Sequence, residues 1–257
     1  MKRRLLGMLN RLGLLLPAYR VYEGLRALRG RGGTADDGLP LPPARLRLMV
    51  AGVPQADWFL EGGRAAAESI RDAVPERLES MRSILDFGCG CGRVIRWWRD
   101  LPAELHGTDF NPTLIAWCRE NLPFGTFGVN GAEPPLEAAD NSYDLVYAMS
   151  VLTHLPVDTQ RRWLEELARV ARRWVLVSVH GEPYRVRLKP DEQRLFDAGE
   201  IVVRWGVVAG TNLCTAFHPP GALERLVKPW FEVVSYLPEG AKGNRPQDLV
   251  LLRVRSQ

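Results

Sequence analysis

Residues Ile84 to Arg93 read Ile-Leu-Asp-Phe-Gly-Cys-Gly-Cys-Gly-Arg. An apolar stretch runs into an acid, Asp86, and three glycines follow at alternate positions, Gly88, Gly90 and Gly92. Glycine is needed where backbone turns tightly or comes close to a ligand. A strand, a glycine-rich turn and a helix-like stretch in that order form a nucleotide-binding turn, with backbone N–H groups directed at the ligand. The spacing D-x-G-x-G-x-G differs from the dinucleotide run G-x-G-x-x-G, and the Lys-Ser/Thr of a P-loop does not follow it. An acid beside the turn repels a pyrophosphate and suits a ligand with a cationic amino acid end. Asp109, 17 residues after Gly92, closes the stretch His-Gly-Thr-Asp-Phe-Asn-Pro. An acid at that separation can accept hydrogen bonds from ribose hydroxyls.

Such residues work only if the ends of several strands meet. From Ser83 the chain alternates strand and helix patterns, which predicts a mainly parallel sheet with helices on both faces. Strands are expected at Ser83–Phe87, Glu104–Thr108, Thr126–Val129, Asp144–Met149 and Trp174–Val179, and helices at Val94–Leu101, Pro112–Asn121 and Val157–Ala171. Asn111-Pro112 is a helix start, with Asn as cap and Pro in the first turn. Phe231–Leu237 and Leu249–Val254 flank a Pro/Gly-rich turn and predict an antiparallel pair. Arg185 to Pro220 interrupts the alternation with a charged stretch and an expected strand over Glu200–Val208. An insertion there would sit above the carboxyl ends of the strands, where open α/β sheets bind ligands.

With these motifs in this order, the sequence resembles the class I S-adenosylmethionine-dependent methyltransferases, whose first motif is E/D-x-G-x-G-x-G. The resemblance covers Ser83 to Gly181 well and the C-terminal part loosely, and leaves out the first eighty or so residues. It implies a Rossmann-like seven-stranded sheet, mostly parallel with an antiparallel last strand, and S-adenosylmethionine as cofactor. By the same resemblance Asp86 faces the methionine amino group. Gly88, Gly90 and Gly92 approach the methionine and ribose, Asp109 holds the ribose hydroxyls, and Phe110 and Asn111 border the adenine. Many relatives carry an Asp after the third strand. This chain has Asn130-Gly131-Ala132-Glu133 there, which leaves Asn130, Glu133 or the backbone of Ala132 to read the adenine amino group. Met149 and Ser150 fall near the sulfonium and the acceptor. Arg93 reads as solvent-facing or structural.

His154 is the best-placed titratable group, since histidine can act as a base near neutral pH. Alternatively it braces its loop by a hydrogen bond. His180 and His218, with Tyr184 and Glu182, are rival bases from the loop after the fifth strand and from the insertion. The implied reaction is methyl transfer to an O or N atom of a small-molecule acceptor. The alternatives are a saccharide or lipid-linked glycan at a membrane surface, or a non-catalytic cofactor-binding protein.

Composition narrows these choices. The 257 residues are 46% hydrophobic and 25% charged, ordinary for a soluble globular chain. Residues 1 to 50 hold ten Lys/Arg against three acids, a net of +7, so the remaining 207 residues carry −3 of the total +4. A core near neutrality argues against a nucleic-acid groove. The Asn/Asp-Pro-Pro-Tyr/Phe signature of base N-methyltransferases is absent after the fourth strand. Four cysteines (Cys89, Cys91, Cys118, Cys214) have no metal-ligand spacing and read as small packing residues in a reducing compartment.

Residues 1–80 read as a helical extension and linker, and 81–257 as the catalytic domain, with an insertion at about 182–220. Residues 1–30 predict two helices broken at Pro17, with Leu5, Leu9, Leu12 and Leu16 on one stripe and arginines elsewhere. The stripe either packs on the protein or lies on an anionic membrane. The expected location is cytoplasmic, with contact at the inner face of the membrane under the second reading. Arg31 to Pro43 reads as a linker. Pro43 to Arg71 carries helix signals that lead into the domain and cover the ligand.

Overall fold

The structure, a computed structural model, describes residues 2–27, 33–35, 37–243 and 245–255. Residues 31, 32 and 36 of the expected linker, and 28–30 of the expected N-terminal helices, lie outside them. Helices α1 (Lys2–Arg11) and α2 (Leu15–Ala27) are followed by a short antiparallel pair, β1 (Gly33–Thr34) and β2 (Pro40–Leu41). Helices α3 (Ala44–Ala51) and α4 (Ala56–Ala73) lead into the sheet. Its strands are β3 (Ser83–Phe87), β4 (Glu104–Asp109), β5 (Gly125–Val129), β6 (Tyr143–Ala148) and β7 (Ala171–Val179), with α5 (Pro112–Asn121) between β4 and β5 and α6 (Val157–Val170) before β7. The insertion holds α7 (Pro190–Asp197) and a small pair, β8 (Val202–Arg204) and β9 (Thr215–Phe217). Helix α8 (Ala222–Val227) and strands β10 (Phe231–Ala241) and β11 (Gln247–Val254) close the chain.

The large sheet has seven strands in the order β10-β11-β7-β6-β3-β4-β5. β3 pairs in parallel with both β4 and β6, while β11 runs antiparallel between β7 and β10. This is the expected Rossmann-like arrangement. Both faces are buried, so the inner strands read as nearly continuous apolar runs. Ile84, Trp174, Leu176, Leu249 and Leu251 enter one core layer. Their neighbours Leu85, Val175, Val177, Val250 and Leu252 enter the other, as the two-residue strand period requires. Tyr184, Leu188, Phe196, Val202 and Phe217 form a smaller core inside the insertion.

Three expectations change. The helix over Val94–Leu101 is a 3-10 turn at Ile95–Trp98. Arg96 is drawn to Asp37, with Nε–Oδ2 at 2.6 Å, while Ile95 and Trp98 enter the core. Burial on two sides replaces the single buried face that an amphipathic helix needs. The strand over Glu200–Val208 shrinks to Val202–Arg204, because Trp205 takes φ 56° and a 3-10 turn follows at Gly206–Val208. At the N-terminus the break falls at Gly13 (φ 69°), and Pro17 sits inside the first turn of α2. A missing N–H costs nothing there. Asn111 caps α5 as expected, its side chain accepting from Thr113 N–H at 3.0 Å. No helix among the described residues is long and apolar enough to cross a membrane.

Candidate functional site

The carboxyl ends of β3, β4, β6 and β7 open into one cavity of about 1480 Å³, roofed by α1 to α3 and by the insertion. β3 is the strand whose two neighbours lead away on opposite sides, the place where open sheets leave a crevice. The glycine turn forms its floor. Gly88 has φ 77° and Gly90 has φ 58°, a region other residues enter only with strain. A methyl group at Gly88 would lie 2.4 Å from Val151 Cγ2, and one at Gly90 would lie 2.6 Å from Val50 Cγ2. Gly92 packs against Leu122.

The turn does not present its N–H groups to a ligand as the sequence suggested. Gly88 and Cys89 N–H both donate to Thr108 O, at 2.8 and 2.9 Å. Gly90 N–H donates to Asp109 Oδ2 at 3.0 Å, and Gly92 N–H to Cys89 O at 3.0 Å. Phosphate recognition needs such donors free. What the floor offers instead is a carboxylate. Asp86 is 3% exposed, and its Oδ2 is buried without a partner. Burial pushes its pKa up to about 8, and the nearby Asp109 carboxylate adds to the rise. Burial also raises Asp109, to about 6. Asp109 Oδ1 accepts from Asn111 N–H at 2.8 Å, so both of its oxygens are oriented by backbone and each retains a lone pair.

Phe110, Asn111, Asn130, Gly131, Ala132 and Glu133 line the cavity beside Asp109. Glu133 pairs with Arg162, at 2.6 and 2.8 Å. Asn130 Oδ1 is buried and unpartnered. Arg93 corrects the sequence reading. It lines the cavity, its Nε donates to Phe59 O at 3.2 Å, and its Nη2 is buried without a partner. Burial lowers its pKa to about 10. Only its position after the third glycine could have flagged it.

Met149 and Ser150 line the cavity next to a polar network. Ser150 N–H donates to Ser178 Oγ at 2.7 Å, Ser178 Oγ–H to Gln247 Oε1 at 2.8 Å, and Gln247 Nε2 to Ser150 Oγ at 2.9 Å. Ser178 and Gln247 were missed from sequence because they meet only when β11 inserts beside β7. The three histidines separate clearly. His154 lines the cavity, and its Nδ1 donates to Cys214 O at 2.7 Å, which leaves Nε2 as an acceptor. Burial lowers its pKa, so the ring is neutral at neutral pH. His180 also lines the cavity. Its Nδ1 donates to Ala216 O at 3.1 Å and its Nε2 faces the Gln247 amide at 3.4 Å. Burial and then His154 lower its pKa to about 3. His218 is not among the cavity-lining residues. It is fully buried and donates from Nε2 to Gln160 Oε1 at 2.9 Å. The structure therefore does not bring it to the cavity with the other two. All four cysteines are buried and unbridged.

A lone acid above three positive-φ glycines, with a second acid at the end of the next strand, is matched by family-level similarity. Residues 84–173 match the family model described as a methyltransferase domain. This segment is similar to the methyltransferase domains of class I S-adenosylmethionine-dependent enzymes. Among curated proteins, this methyltransferase is 24% identical over 180 residues to a malonyl-[acyl-carrier protein] O-methyltransferase of Pectobacterium atrosepticum. The match takes in 68% of this chain and 62% of that protein's length. Its fold is that of an S-adenosylmethionine-dependent methyltransferase from Mesorhizobium loti (TM-score 0.57, 16% identity, 74% of this chain and 98% of that one). It is also that of the glycopeptide N-methyltransferase MtfA complexed with S-adenosyl-L-homocysteine (TM-score 0.54, 15% identity, 75% and 90%). The match supports S-adenosylmethionine as the cofactor. The orphaned Asp86 oxygen fits that cofactor's ammonium, and the oriented Asp109 carboxylate fits a ribose diol.

Proposed function

We propose that this methyltransferase moves a methyl group to an O or N atom of a small-molecule acceptor, with His154 receiving the acceptor's proton. The observation that carries this reading is the His154 ring, lining the cavity with its Nδ1–H donated to Cys214 O, the tautomer that leaves Nε2 as the basic nitrogen. The bound cofactor supplies an activated sulfonium methyl. The protein's part is to orient both partners for in-line attack and to exclude water. Asp86 pairs with the ammonium, Arg93 Nη2 with the carboxylate, and Asp109 with the ribose hydroxyls. Asn130 Oδ1 is the acceptor available to the adenine amino group. His180 is less suited to be the base, because its Nε2 is engaged by Gln247 and its pKa of about 3 makes it a poor proton acceptor.

The cofactor contacts are tested by calorimetry with S-adenosylhomocysteine. Asp109→Ala removes a charged acceptor and leaves Gly90 and Asn111 N–H unpaired, so binding is expected to weaken by about 1–3 kcal/mol. An unchanged dissociation constant in folded Asp109→Ala would remove Asp109 from the site.

A second reading concerns where the enzyme works. Leu12, just past α1, and Val21 on α2 are each 62% exposed, in the +7 segment. Exposed apolar side chains among arginines suit peripheral contact with an anionic membrane. Flotation with anionic vesicles is expected at low salt and should be lost as salt rises. Leu12→Asp with Val21→Asp should abolish it. Flotation that survives in this variant would place the contact elsewhere.

A further inference from the structure

Asp86 and Asp109 line the cavity, and so do Arg187, Lys242 and Arg245, which form no ion pair among the described residues. Other arginines near them are neutralised. Arg185 pairs with Asp197 at 2.6 Å, away from the site, and Arg204 on the cavity wall pairs with Glu192. The three unpaired cations are held as a group by the chain. Tyr184 Oη donates to Pro246 O at 2.9 Å, tying the loop that carries Arg187 to the β10–β11 turn that carries Lys242 and Arg245. The Arg187 guanidinium lies 4.5 Å from the Tyr184 ring centre, and Tyr184 stacks on His180 at 4.1 Å. Leu5, Leu9 and Leu16 give the same cavity an apolar wall.

We infer that the acceptor is an anionic amphiphile: a carboxylate or phosphate seated among Arg187, Lys242 and Arg245, carried on an apolar chain that lies along Leu5, Leu9 and Leu16. Three cations on one rim attract an anion from solution and fix its approach. Guanidinium groups bind carboxylate and phosphate through paired N–H donors. A leucine wall gives no hydrogen bonds, so the part of the acceptor that meets it must be apolar. The inference rests on the small-molecule methyltransferase reading and narrows its substrate class.

The test uses the full-length protein saturated with S-adenosylhomocysteine, titrated with decyl phosphate, decanoate, decyltrimethylammonium and inorganic phosphate below micelle-forming concentrations. Decyl phosphate or decanoate should bind roughly tenfold or more tighter than decyltrimethylammonium and than inorganic phosphate, with affinity falling as salt rises. In the triple variant Arg187→Gln, Lys242→Gln, Arg245→Gln that preference should disappear while S-adenosylhomocysteine affinity stays at the parent's value. Equal binding of the cationic and anionic decyl probes, or an unchanged preference in the triple variant, overturns the anionic class. Inorganic phosphate binding as tightly as decyl phosphate overturns the apolar chain. A parent protein that binds no S-adenosylhomocysteine would instead fail the cofactor reading, a separate outcome.

Discussion

His154→Ala is expected to lower turnover at saturating substrates by roughly 10²–10⁴-fold, with S-adenosylhomocysteine affinity nearly unchanged. The His154 ring hydrogen-bonds to the insertion, Nδ1–H to Cys214 O, and its carbonyl accepts from Gly210 N–H at 2.8 Å. The backbone bond survives the substitution, so the loop keeps one of its two ties. The pH profile separates chemistry from bracing. Burial lowers the His154 pKa below 6.5, so a base role places the acid limb of the rate profile below pH 6.5. In His154→Ala that limb should vanish. A variant that loses thermal stability but retains the parent's acid limb and most of its turnover would make His154 a brace only.

Cofactor binding should also expel a proton near neutral pH. In the free enzyme Asp86 titrates at about 8, so at pH 7 it is mostly protonated. An ammonium brought beside it favours the ionised form and lowers that pKa. Between the two values one proton leaves per ligand bound. The dissociation constant of S-adenosylhomocysteine should therefore fall by up to about tenfold per pH unit as pH rises toward 8. Calorimetry in buffers of different ionisation enthalpy reads the proton directly. Asp86→Asn should remove the component assigned to this group, and an unaltered proton count in that variant would rule the assignment out. The folding linkage has the matching sign. The raised carboxyl binds its proton more tightly in the folded apoenzyme than in the unfolded chain, so its contribution to stability is full below about pH 4. It is lost as pH climbs through 8.

Local signals were the legible ones. The strand that ends at Phe87, the glycine turn and the Asn111 cap depend on a few neighbouring residues, and their types announced them. The apolar runs of β3, β7 and β11 likewise revealed strands buried on both faces. What sequence could not show was which distant side chains would converge. Ser178 and Gln247 meet 69 positions apart. His218 carries the same residue type as His154, yet the register of β9 directs it to Gln160. The 3-10 turn at Ile95–Trp98 depends on Asp37, which lies 59 residues earlier than Arg96 and gives no local hint of its partner. Arg93 read as solvent-facing or structural because its bond to Phe59 O, 34 positions away, leaves no local signal.

That roof has a consequence for the tempo of the cycle. Val50 of α3 rests on Gly90, and the Asn212 amide of the insertion donates to Met49 O at 2.8 Å. Two segments separated by 163 positions thus latch together over the nucleoside end of the cavity. Departure of a bound nucleoside past Val50 and Asn212 is expected to require this latch to part, a chain motion of the kind that can pace turnover in place of bond breaking.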